Sequence, residues 1–129
     1  MRTNRKLGLA VLIGIAIGIA GATAIHARQA KAPPGYIIAE VEVTDPATLQ
    51  KYGAKVPETL APFNHQYIIR GGKTKSLEGD PPKGTVMIAF DSVEKAQAWY
   101  DSPAYEAIKL MRINSTRSRV FIAEGIAPK

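Results

Sequence analysis

The 129-residue chain has no cysteine, two histidines and a single tryptophan. The missing cysteine excludes disulfides, thiolate metal sites, a cysteine nucleophile and lipid attachment through an N-terminal cysteine. Packing alone must hold the fold. His26 and His65 are too few for the ligand sets that hold zinc or other transition metals, so neither a metal nor a cofactor is expected. No GxSxG is present, and Ser, His and Asp occur without a spacing that argues for a catalytic triad. Gly72-Lys73-Thr74 imitates the end of a phosphate-binding loop, but Tyr67 stands where the first glycine is needed and the tripeptide follows a strand. The sequon Asn114-Ser115-Thr116 is read as chance. Charge of one sign is also scarce. The formal net charge is +6, yet beyond residue 27 there are 14 basic against 11 acidic side chains, an ordinary soluble surface that gives nucleic-acid binding little support.

What is present starts with one long apolar run. Arg2, Arg5 and Lys6 precede an uncharged stretch from Leu7 to Ile25, and small residues follow at Ala22, Thr23, Ala24 and Ala27. This is the order of a secretory signal, with cleavage after Ala24 or Ala27. The run is also long enough to cross a bilayer, and Gly14 and Gly18 form a GxxxG pair, so an uncleaved anchor is the competing reading. In both readings the basic flank stays inside. The remainder is then periplasmic or secreted, or held at the inner membrane with its domain outside, and the membrane is a partner only if the segment is uncleaved. Residues 1–27 are thus read as signal peptide or anchor, 28–35 as a linker with Pro33 and Pro34, 36–125 as one domain and 126–129 as a tail.

Within that domain the periodicity alternates between two and 3.6. From Tyr36 to Val43 the residues Ile37, Ala39, Val41 and Val43 share one face, as a strand requires. Asp45 is placed to cap a helix that starts at Pro46, with Leu49, Tyr52, Val56 and Leu60 as its apolar stripe and a break or kink expected near Val56 because Pro57 cannot donate. A second strand is expected over 65–70, a polar hairpin connection over 73–83 and a third strand over 85–90. Ser92 caps a helix carrying Ala96, Trp99 and Tyr100 inward; Pro103 restarts it with Tyr105, Ile108 and Met111. A fourth strand is expected over 119–124. The order βαββαβ is that of an α+β ferredoxin-like fold, an antiparallel four-stranded sheet with its helices on one face. The opposite face keeps apolar residues such as Ile38, so it needs a partner, and pairing two sheets into a dimeric α/β-barrel would bury it.

The stretches YIIAEVEVTDP (Tyr36 to Pro46), RGG (Arg70 to Gly72), LEG (Leu77 to Gly79), AWYDSPAYE (Ala98 to Glu106) and SRVFIAEG (Ser118 to Gly125) resemble the bacterial family catalogued as domain of unknown function 1330, of the dimeric α/β-barrel superfamily. The resemblance implies a fold and a homodimer and no particular reaction; the wider superfamily includes cofactor-independent monooxygenases, lactone isomerases and haem-degrading enzymes, too broad a range for transfer by fold.

Three function classes remain. The leading one is a binder of a small planar or anionic molecule in a cavity bounded by sheet and helices. Its ligand-binding candidates are Arg70 and Gly71 at a strand end, Arg112 near the last helix end, and Tyr67, Trp99 and Tyr105 as an apolar wall bearing phenols. The second is an oxygenase-, isomerase- or lyase-like enzyme without a cofactor, with Glu40, His65 and Arg70 as candidate catalytic residues. Glu40 and Glu42 share the face opposite Ile37, where pairing with arginine is the favoured outcome for a carboxylate. The third is a structural or protein-interaction module, marked by a filled interior.

Overall fold

The computed structural model describes residues 31–129, so the expected export segment, residues 1–27, lies outside the described residues. The elements are β1 (Gly35–Val43), α1 (Pro46–Leu60), β2 (His65–Arg70), β3 (Thr85–Phe90), α2 (Val93–Tyr100), α3 (Pro103–Ser115) and β4 (Thr116–Glu124). The four strands form one antiparallel sheet in the order β2-β3-β1-β4. This is the expected α+β ferredoxin-like arrangement. Among the described residues no helix is long and apolar enough to cross a membrane.

Side chains alternate across a strand, so the register decides what each face carries. Ile37 lies opposite Ile88 on one side and Ile122 on the other, and Ala39 opposite Val86 and Val120. These residues face the helices, and Ile37, Ile88, Phe90, Val56, Leu60, Ala96, Trp99, Tyr105 and Ile108 form one buried cluster. Each of the larger aliphatic side chains and Phe90 contributes ~1.5–3 kcal/mol by leaving water. The second face carries Ile38 between Met87 and Phe121, then the pairs Glu40–Arg119 and Glu42–Arg117.

Caps fix where the helices begin. The Asp45 carboxylate accepts from the Thr48 amide at 3.2 Å and from its hydroxyl at 2.6 Å, and these bonds hold its pKa below the ordinary 3.8. Ser92 and Ser102 accept from the amides of Lys95 and Tyr105, and Pro103 follows Ser102 at the first position of α3. Two boundaries differ from the sequence expectation. Helix α1 does not break near Val56 but runs through Pro57 to Leu60. Proline denies a hydrogen bond only to the carbonyl four residues earlier, here Gly53, and the buried Val56, Thr59 and Leu60 hold the last turn on the core. Strand β4 starts at Thr116, three residues before the expected Arg119, because it follows α3 without a loop. That junction is anchored by the Ser115 carbonyl, which accepts from the amides of Thr44 and Asp45 at 2.8 and 3.0 Å.

The start of β1 abuts the start of α2. A Cβ on Gly35 would lie 2.5 Å from the Ser92 carbonyl oxygen and 2.7 Å from the Val93 Cα, and backbone cannot yield as a side chain would. Gly35→Ala is therefore expected to destabilise the domain by about 1–3 kcal/mol, read as a lower midpoint in urea unfolding.

Candidate functional site

Between the sheet and the helices lies a cavity of about 430 Å³. Ile37, Ile88 and Val120 of the sheet, Val56 of α1 and Trp99 of α2 line its apolar part, and the exposed Arg70, Gly71 and Lys83 lie at its rim. Among the described residues its charged lining is Arg70, Lys83 and Arg112, and neither aspartate nor glutamate lines it. The space is thus apolar in body and positive in potential.

Arg112 defines the polar end. Its place in α3 follows the stripe Tyr105, Ile108, Arg112, with spacings of three and four that keep all three on one helix face. The side chain is 7 % exposed. Its Nε donates to the Tyr105 hydroxyl at 3.2 Å and its Nη1 to Ser118 Oγ at 2.7 Å. Among the described residues it has no carboxylate within ion-pair distance. Burial works against its charge, but the phenols of Tyr105, Tyr52 and Tyr100 outweigh that and hold its pKa above the ordinary guanidinium value. The guanidinium stays charged without a fixed counter-ion.

Two phenols extend this centre. The hydroxyls of Tyr52 and Tyr105 are 2.8 Å apart, with their rings edge-on at 6.3 Å. Since Tyr105 already accepts from Arg112, a proton count follows. One phenolic proton closes the bond between the two tyrosines, and the other is left for a third partner, whichever tyrosine carries it. Trp99 packs its ring 4.2 Å from that of Tyr105 and donates its indole N–H to Thr59 Oγ1 at 3.1 Å.

At the other side a bulge sets the geometry of β2. His65 and Tyr67 pair with Phe90 and Ile88, but a register shift between Tyr67 and Ile69 then places Arg70 opposite Val86. Strict alternation would have sent Arg70 to the face away from Tyr67. The extra residue turns it back, and its guanidinium lies 4.6 Å from the centre of the Tyr67 ring. Burial raises the Tyr67 pKa above 10.0, with Arg70 opposing and Tyr105 adding to the rise.

All six ligand-binding candidates named from sequence, Tyr67, Arg70, Gly71, Trp99, Tyr105 and Arg112, line this one cavity. The Gly71 amide is taken up by the fold, donating to the Thr85 carbonyl at 2.9 Å. Its φ of +66° is the left-handed turn that opens the hairpin. Of the catalytic candidates only Arg70 reaches the cavity. Glu40 accepts from Arg119 Nε at 2.7 Å on the opposite face of the sheet, and His65 pairs its Nδ1 with the Phe63 carbonyl and borders a separate shallow cleft. Sequence reasoning missed Lys83, Gly53 and the hydroxyl of Tyr52, all of which belong to residues lining the cavity. Lys83 sits in a loop with no periodicity to place it. The burial of Arg112 had a readable signal in its spacing from Tyr105 and Ile108.

Burial, followed by the neighbouring Tyr105 phenol, holds the Tyr52 pKa well above the ordinary 10.0. The unfolded chain then loses this proton at a lower pH than the native state, so folding stability is intact below pH 10.0 and falls as pH rises past it. The melting temperature is expected to fall more steeply above that pH in the wild type than in Tyr52→Phe, which a series of thermal melts at increasing alkalinity measures directly.

The comparisons with known proteins agree with this architecture. The family profile "Domain of unknown function (DUF1330)" matches residues 34–126. A protein of unknown function from Rhodopseudomonas palustris superposes with a TM-score of 0.60 at 14% identity, covering 84% of this chain and 94% of its own. A dimeric ferredoxin-like protein of unknown function from Thermobifida fusca gives 0.51 at 14%, covering 75% and 95%. A hypothetical Arabidopsis thaliana protein gives 0.54 at 12%, covering 81% and 97%. At these identities the likeness shows the fold alone. No curated protein matches. The match over residues 34–126 spans most of the chain, which belongs to the family described as domain of unknown function DUF1330.

Proposed function

We propose that this protein binds a small carboxylate with an apolar body, held in the cavity between sheet and helices. The observation that carries this reading is Arg112, a buried guanidinium without a carboxylate partner that lines an apolar cavity free of lining acids. A buried charge is costly unless paired, and a ligand carboxylate would supply the partner. The spare phenolic proton of the Tyr52–Tyr105 pair stands beside it as a second donor, and two donors side by side suit the two oxygens of a carboxylate. Arg70 and Lys83 at the rim add positive potential that draws an anion inward. The volume lies within the ~300–1,000 Å³ common for small-molecule sites.

The reading includes the setting. The order of Arg2, Arg5 and Lys6 before the uncharged run to Ile25 supports a site outside the cytoplasm. On the open sheet face, Ile38, Met87 and Phe121 form an apolar centre beside the Glu40–Arg119 pair, which supports a second copy of the chain as its cover.

Two experiments test these claims. Benzoate, naphthoate and octanoate are expected to raise the melting temperature of the full chain with concentration, while neutral naphthamide leaves it unchanged. In Arg112→Met the carboxylate shift is expected to vanish while the ligand-free melting temperature stays level or rises, because an apolar residue of similar length removes a buried charge. A retained carboxylate shift in this variant would sink the reading. For the second copy, analytical ultracentrifugation is expected to show a dimer for the wild type and a monomer for Phe121→Asp; a wild-type monomer at micromolar concentration would dismiss it.

A further inference from the structure

Glycine is a poor residue for the interior of a helix, where its backbone freedom is lost without any side-chain contact in return. Gly53 nevertheless sits in the middle of α1. Its spacing from Leu49, Val56 and Leu60, four before and three and seven after, puts it on the stripe that faces the sheet, and it lines the cavity. Two common reasons for a glycine at an inward position both fail here. Its φ is not positive, so no left-handed turn demands it. A Cβ built on it would meet nothing within 4 Å, so no neighbouring element packs too closely for a side chain. Gly35 shows the contrast, since a Cβ there would strike backbone. An inward-facing position with open space in front of it runs against the close packing of protein interiors. The space belongs to the cavity.

We propose that Gly53 is a specificity-determining residue of this site, and that the room left by its absent side chain receives a ring of the ligand. The inference rests on the cavity being the ligand site, and it narrows the ligand from any apolar carboxylate to one with a body wider than an alkyl chain. Other parts of the wall are aromatic: Trp99, Tyr100 and Tyr105 line the same cavity, and a flat ring filling the space over Gly53 would gain contact with them. A slim alkyl carboxylate would reach Arg112 and leave the space over Gly53 unfilled. One rival explanation is local. Pro57 brings no N–H to the Gly53 carbonyl and crowds it, so glycine there would merely relieve the proline.

The test is Gly53→Ala in the full chain, with Pro57→Ala and the double variant as controls. The ligand-free melting temperature of Gly53→Ala is expected to rise by roughly 3–6 °C, since alanine favours the helix and meets no obstacle. Affinity for naphthoate is expected to drop at least tenfold, with octanoate changed less than twofold, and the same drop is expected in the double variant relative to Pro57→Ala. Unchanged naphthoate affinity would overturn the proposal. So would a fall in melting temperature that Pro57→Ala reverses, since the glycine would then serve the proline. Should the wild type bind neither carboxylate, xenon NMR separates the two readings. Xenon uptake that Gly53→Ala abolishes would retain the space over Gly53 while the anion reading falls, and no uptake would overturn both.

Discussion

A buried guanidinium must be surrounded by acceptors, and the fold around Arg112 is organised to meet that requirement without supplying an acid. Tyr105 from the same helix and Ser118 from β4 take two of its N–H groups, and Tyr52 joins through Tyr105 from across the core. These contacts tie α1, α3 and β4 together at one end of the sheet. The same end is held by the Ser115 carbonyl, which accepts from the amides of Thr44 and Asp45 just ahead of α1, so the position of Arg112 is set by backbone as well as by side chains. Because every partner is neutral, the positive charge remains available to the cavity.

The cavity itself is the consequence of packing two longer helices and one short one against a sheet that they cover incompletely. Trp99 and Leu60 fill the space near the cap of α2, where Ala96 and Phe90 also pack. Toward the other end, α1 turns Gly53 rather than a bulky residue to the sheet, and β1 presents Ala39. The bulge in β2 then brings Arg70 to the rim. Core and site share residues: Ile37, Val56, Ile88, Trp99 and Tyr105 belong to the buried cluster and also line the cavity. Their polar groups are satisfied: the Trp99 indole N–H by Thr59 and the Tyr105 hydroxyl by Tyr52 and Arg112.

The sheet's second face follows a different rule. Cross-strand pairs Glu40–Arg119 and Glu42–Arg117 compensate charge at one end and leave Ile38, Met87 and Phe121 at the centre. Such exposed pairs contribute little to stability, ~0–1 kcal/mol each. Their larger effect is on what can approach: an apolar centre bordered by alternating charges favours a surface of the same pattern over an arbitrary apolar one. This explains why Glu40, an acid–base candidate by sequence, sits at a surface pair rather than at the cavity.

The sequence by itself determined the element types, their order and the direction of their faces, because alternation in strands, helical stripes and caps such as Asp45 and Ser92 act within a few residues. It also pointed to Tyr67, Arg70, Trp99, Tyr105 and Arg112 as possible ligand residues, since aromatics and cations near element ends are chemically conspicuous. Only the tertiary structure decided that they share one cavity. The Tyr52–Tyr105 bond joins residues 53 positions apart and the Trp99–Thr59 bond residues 40 apart, separations at which local pattern carries no information. Pro57 stayed inside α1 because core burial outweighed one lost hydrogen bond. Arg70 turned inward because a bulge, invisible in the alternation of His65 to Arg70, added a residue to the strand. Gly53 acquired meaning only when the space in front of it was seen to be empty, for an absent side chain leaves no periodic signal of what should fill its place.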